Sequence, residues 1–203
     1  MRIILASASP RRKELLIQIV DGYEICVSDV EEIITESEPS KVVEELSAQK
    51  AFAVYSKTEG DVLVIGADTV VAMEGRILGK PEDEAAAFSM LQMLQAKEHC
   101  VYTGVTVYMR KGNKEHKITF SECTGVQFYP MTEAEIHGYI ATGEPMDKAG
   151  AYGIQGIGGR FVERISGDYF FKTISCLSCS SFSESIIVDT TPCRIGFKAS
   201  GML

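Results

Sequence analysis

Arg11, Arg12 and Lys13 follow Pro10 directly in "LASASPRRKELL". Proline suits the first position of a helix, so the three cations fall in a first turn, where the dipole is positive and acidic residues are the usual occupants. Such a cluster makes sense if an anion comes to meet it. A strand end, a loop of small residues and a helix start gather free N–H groups. Ser7 and Ser9 add hydroxyls there, and Arg11 and Arg12 add planar forks that match phosphate oxygens. The chemistry on offer is capture of a small phosphate-bearing ligand, with a solvated basic patch as the alternative. The phosphate loop G-x-x-x-x-G-K-[ST] occurs nowhere.

Asp68 lies in "VLVIGADTVVAM", among aliphatic and β-branched residues, where a carboxylate needs a cation, a metal or a hydrogen-bond donor. A strand bend beside Gly66 would deliver it to a cleft as a Mg²⁺ ligand or as a base for a water; a structural carboxylate on a backbone N–H is the other reading. In a regular strand Thr69 points to the opposite face. Lys50 falls within the apolar stripe of "VVEELSAQKAFAV", so it either snorkels past a core edge or carries charge into a cleft. Lys80 ends a hairpin in "GKP", and Glu31 and Glu32 lie in an acidic stretch able to hold a cation. In "EPMDKAGAYGIQG" the glycines permit a ligand to approach the backbone, and the Gln155 amide has the donor and acceptor needed to read a base edge. His99, His116 and His137 are isolated, which excludes a histidine triad or a His-based metal spacing.

The elements that must position these groups follow from pattern. Arg2 to Ala6 reads as a short strand, followed by a helix capped by Ser9 with Leu15, Leu16, Ile19 and Val20 on its apolar face. Pro39 opens a helix to about Ser56, 61–73 is a long strand, and Pro81 to Gln95 is helical with Phe88, Leu91 and Leu94 on one side. Residues 99–130 form two strands around the turn at Gly112 and Asn113. Thr132 and Glu135 make a capping box for a helix stopping near Gly143; a glycine-dense loop and one more strand follow. The expected class is α/β, a mixed twisted sheet with flanking helices.

Composition bounds the function. The 203 residues carry a formal charge of −8, which argues against binding a nucleic acid polymer and confines any cationic site to a local patch. No apolar run is long enough to span a bilayer, and the N-terminal apolar stretch is too short for a signal peptide. Six scattered cysteines make no disulfide framework, so a cytoplasmic setting is expected; Cys176 and Cys179 alone form a C-x-x-C.

"S-x-S-P-R-R-x-E-L-L", "GADT" followed by "GKP", and "EPMDKAGAYGIQG" together resemble the Maf family of nucleoside triphosphate pyrophosphatases over residues 2 to about 169. The resemblance implies a fold related to the inosine triphosphate pyrophosphatases, with two lobes around a deep cleft. It implies cleavage between the α and β phosphates with a divalent metal, Mg²⁺ or Mn²⁺, in a house-cleaning role linked to cell division arrest. Asp68 would be the proton acceptor, and Arg11, Thr69 and Gln155 the specificity positions. Ser7, Arg12, Glu32, Lys50 and Lys80 would line the phosphate and metal site, with Glu32 and Asp68 holding the metal. "SPRR", "GADT" and "AGAYGIQG" are similar to the branch acting on dTTP and UTP. A nucleotide-sensing regulator of septum formation that does not hydrolyse is the rival. The expected partners are a nucleoside triphosphate and, as an option, a second copy of the chain. A Maf-like domain is expected over 1–169. From 170 to 203 the chain departs from the family, which continues with a "VVGLP"-like segment and an amphipathic helix, and a shifted reading frame would explain the departure.

Overall fold

The computed structural model describes residues 1–167. The boundary expected at residue 169, the atypical segment 170–203 and the Cys176/Cys179 pair lie outside the described residues. Chain order is β1 (Arg2–Leu5), α1 (Pro10–Leu16), β2 (Glu24–Ile25), α2 (Pro39–Tyr55), β3 (Val62–Met73), β4 (Arg76–Leu78), α3 (Glu84–Leu94), β5 (Glu98–Lys111), β6 (Lys114–Phe128), α4 (Glu133–Ile140) and β7 (Val162–Ser166). These strands form a seven-stranded mixed sheet in the order β2-β1-β3-β5-β6-β7, with β4 paired to β3. The mixed α/β architecture is therefore the one expected.

β3 is the spine. On one edge it pairs with β5 in unbroken antiparallel register from Val62↔Arg110 to Ala72↔Cys100. On the other edge β1 pairs only along Val62 to Ile65, and β4 only along Val71 to Met73. Residues 66–70 thus have no strand partner on that edge, and Asp68 and Thr69 lie in the gap.

Alternation along β3 separates two faces. One is covered by α2, whose Ala51, Val54 and Tyr55 pack on Val62 and Val64, and whose Val42, Val43 and Leu46 pack near Val70. The other carries two apolar clusters. Leu16 of α1 packs with Leu63, Ile65, Ala67, Val105 and Val107. Farther along, Leu91 and Leu94 of α3 and Ile136 and Tyr139 of α4 pack with Val71, Met73, Val101 and Phe128. Between the clusters, on the same face, stand Thr69 and its cross-strand partner Thr103. A polar strip thus parts two apolar centres on one face of the sheet.

Three expectations need correction. Ser9 stands at the N-cap of α1, but its side chain makes no capping bond; its N–H donates to Ser7 Oγ at 3.3 Å. α1 ends at Leu16, so Ile19 lies beyond it and is 42% exposed instead of on a buried face. Gly66 is no bend. The β5 ladder runs through it without a shift, and a Cβ there would lie 2.5 Å from Ser47 O and 2.7 Å from Ala51 N. Glycine lets α2 lie directly on β3. The capping box at Thr132 and Glu135 is present as expected. Among the described residues no helix is long and apolar enough to cross a membrane.

Candidate functional site

The β3 gap gathers side chains from three elements. From α2, Lys50 Nζ contacts Asp68 Oδ1 and lies 3.0 Å from Glu32 Oε1. The lysine therefore delivers its charge to Asp68, resolving the two readings of its place in the stripe. Glu32 reaches this point because α2 holds the loop before it. Gln49 Oε1 accepts from Ile33 N at 3.0 Å and its amide donates to Ile33 O, while Glu45 accepts from Thr35 N and Thr35 Oγ1. Gln49 and Lys50 are successive residues, so docking the loop at one places Glu32 beside the other.

From α1, Arg12 reaches the opposite face of β3. Its guanidinium donates to Ala67 O at 2.8 Å, to Ser7 Oγ at 3.2 Å and to Thr69 Oγ1 at 3.2 Å. Ala67 O is a strand carbonyl left without a ladder partner where β1 departs, and the guanidinium replaces that partner. Burial lowers the Arg12 guanidinium from its ordinary value, with Asp68 opposing the shift and Arg11 adding to it. It remains charged at neutral pH. The cluster that looked out of place is thus partly structural: Arg12 braces α1 against the strand, and Arg11 is left exposed. Thr69 Oγ1 also lies 3.2 Å from Thr103 Oγ1, and Thr103 is buried.

Asp68 and Thr69 do point to opposite faces of a regular strand. Both lie on the stretch of β3 that has no strand partner on its β1 edge.

Lys80 and Gln155 stand apart. Both are exposed, and no hydrogen bond or ion pair joins either to Asp68 or Arg12 among the described residues. Lys80 follows Gly79, whose carbonyl accepts from Gly150 N at 3.0 Å, so it sits where the glycine-dense loop meets the β4 end. Arg11 helps hold the Asp147 carboxyl below its usual range, after the larger effect of its bond from Lys148.

The glycines of 153–158 serve an unexpected purpose. A Cβ on Gly156 would meet the Glu144 carboxylate at 2.5 Å, and one on Gly158 would meet the Tyr139 hydroxyl. They admit the protein's own side chains, where sequence suggested a ligand. Glu144 Oε2 accepts from Ile157 N at 2.8 Å; Oε1 accepts from Gly158 N at 3.1 Å and from the Tyr139 hydroxyl at 2.8 Å. His99, isolated in the sequence, is buried with its Nε2 at 2.7 Å from the Tyr152 hydroxyl.

Glu45, Gln49, Thr103, Tyr139 and Glu144 were all missed by motif reading. The one signal available was Glu144 between Gly143 and Pro145, an acidic residue at a sharp turn.

The donor set for a divalent cation is two carboxylates. Among the described residues no three metal-ligating side chains converge. Two carboxylates, Glu32 and Asp68, do converge on one ammonium. A hard ion such as Mg²⁺ takes one or two carboxylates and completes its shell with phosphate oxygens and water.

A sequence model of the Maf-like protein family matches residues 2–180. A protein of Agathobacter rectalis named dTTP/UTP pyrophosphatase is 54% identical over 83% of this chain and 88% of its own length. A Clostridium novyi protein of the same name is 51% identical, covering 84% of this chain and 89% of its own. Among solved structures, the Staphylococcus aureus Ham1 protein is similar at 17% identity and a TM-score of 0.39, over 63% of this chain and 72% of that one.

Proposed function

The chain belongs to the Maf-like protein family, and from that premise we propose that it hydrolyses nucleoside triphosphates, dTTP and UTP foremost, to the monophosphate and pyrophosphate. The observation that carries this reading is the Lys50 ammonium shared by Asp68 and Glu32 in the gap of β3, with Arg12 and Thr69 at its other side.

Each residue then has a task. Arg11 and Lys80, both exposed and without a side-chain hydrogen bond or ion pair among the described residues, neutralise the β and γ phosphates. Arg12 is held by three bonds and adds a charge whose place is set before substrate arrives. Asp68 takes a proton from a water as its oxygen attacks the α-phosphorus; the α–β bridging bond breaks and pyrophosphate leaves toward the cations. Lys50 keeps the Asp68 carboxylate oriented and lies where charge develops. Glu32 and Asp68 would hold the Mg²⁺ or Mn²⁺ ion, which supplies charge neutralisation on the phosphate oxygens when bound. Gln155, at its exposed turn, reads the base. A cytoplasmic setting agrees with Cys26, Cys100 and Cys123 being free thiols.

Pyrophosphate release from dTTP, UTP, CTP and GTP with Mg²⁺ or Mn²⁺ is the test. dTTP and UTP are expected to turn over fastest. Asp68→Asn is expected to lower kcat by about 10²–10⁴, the usual weight of a positioned base, while nucleotide binding is retained. Binding without release by the wild-type protein would favour a nucleotide-sensing regulator of septum formation instead.

A further inference from the structure

The segment that carries Glu32 is tied to the protein by side chains. Among the described residues, Cys26 N to Leu5 O at 3.1 Å is the last backbone–backbone hydrogen bond before α2 begins. Burial does not hold the segment either: Val30 is 39% exposed, Ile33 62% and Ile34 57%.

One face of α2 supplies the hold. Glu45 and Gln49 stand four residues apart, about one helical turn. Gln49 Oε1 accepts from Ile33 N at 3.0 Å and its amide donates to Ile33 O, so one side chain meets both backbone groups of a residue, as a neighbouring strand would. Glu45 accepts from Thr35 N at 2.9 Å and from Thr35 Oγ1 at 2.6 Å. Two residues of extended chain rise about 6.6 Å and one helical turn about 5.4 Å, so the two catches agree in spacing. Beyond them, Glu32 is next along the segment and Lys50 next along the helix, and these two meet at 3.0 Å.

We propose that Gln49 is a positioning residue, which keeps the Glu32 carboxylate on the Lys50 ammonium beside Asp68. The Glu32 side chain is 45% exposed, and an ion pair so open to water contributes little by itself. The contact with Lys50 therefore does not fix the segment; the bonds to Ile33 and Thr35 do. Once Gln49 is removed, Glu32 departs and Lys50 is left to Asp68. In the proposed reaction the divalent ion then loses one of its two carboxylates. That Glu32 serves the ion rests on the proposed function, whereas that Gln49 holds Glu32 does not.

Two readouts keep these apart, and neither is turnover. The first is acetylation of Lys50 by dilute acetic anhydride, followed at that residue by mass spectrometry without metal or nucleotide. Gln49→Ala is expected to speed it by about three- to tenfold, because the amine is uncovered and one carboxylate no longer favours its charged form. Glu32→Gln is expected to do the same, and the double variant to be no faster than Glu32→Gln alone, since one residue acts through the other. The second is Mn²⁺ affinity with α,β-methylene-UTP present, followed by electron paramagnetic resonance. It is expected to fall roughly tenfold in Gln49→Ala, and no further when Glu32→Gln is added. Glu45→Ala opens the other catch and carries the same comparison if Gln49→Ala does not fold. Unchanged Lys50 acetylation in Gln49→Ala, or additive effects in the double variant, would overturn the proposal. Faster acetylation with unchanged Mn²⁺ affinity would leave Gln49 as the holder of Glu32 and remove Glu32 from the proposed ion site.

Discussion

At the scale of single residues, the ammonium of Lys50 is the pivot. Its side chain is 19% exposed and that of Asp68 14%, so the pair is only partly screened by water, while Glu32 closes it from the solvent side at 45%. Lys50 occupies the point toward which two carboxylates turn, which is where the proposed divalent ion would bind. Lys50→Met should tighten Mn²⁺ binding in the absence of nucleotide by roughly tenfold, followed by electron paramagnetic resonance, and should slow pyrophosphate release. Unchanged Mn²⁺ affinity would mean that the ammonium does not stand in the ion's way. Residue types announced part of this: Asp68 among aliphatic neighbours demanded a partner, while Lys50 inside an apolar stripe left snorkelling and a cleft both open, and the two prove to be paired. The partner of Arg12 could not be read. A carbonyl without a ladder bond exists only because β1 stops at Leu5, far away in sequence.

At the scale of elements, α2 sets the geometry by lying hard on the sheet. Gly66→Ala would push a methyl group against Ser47 O and Ala51 N, both backbone atoms that cannot rotate away. Destabilisation of about 1–3 kcal/mol is expected in denaturant unfolding, with lost turnover as Lys50 is displaced. The pattern GADT advertised glycine, but its purpose depends on a helix that packs there from elsewhere in the chain. The grip of Glu144 on the glycine-dense loop adds a pH dependence. Burial alone would push the Glu144 carboxyl up, yet the N–H groups of Gly158 and Ile157, the Tyr139 hydroxyl and Lys148 together hold it below its usual range. A depressed folded value means that the stabilisation is fully present above the ordinary carboxylate range and is lost as pH falls through the folded value. Protection of the Ile157 and Gly158 amides against hydrogen exchange should therefore fall on acidification, and Glu144→Gln should abolish that dependence. The role of Glu144 was not legible locally, because its three donors come from an earlier helix and from a loop that follows.

For the whole molecule, the order of the helices and the longer strands was legible from periodicity, from the capping box and from the prolines at Pro10 and Pro39, whereas the two-residue β2 left no pattern to read. The division of one face between two apolar clusters was not legible either, since it depends on which strand residues meet α1 and which meet α3 and α4. The second cluster supports the grip of Glu144 through Tyr139. Leu91→Ala, which empties a fully buried position in that cluster, should cost about 2–5 kcal/mol in denaturant unfolding.

The gap beside residues 66–70 is open on one side only, because the ladder to β5 runs behind it from Val62 to Ala72. An anvil of this sort leaves the floor little freedom to recoil. In the proposed reaction, adaptation to a new nucleobase would therefore fall to the surrounding loops.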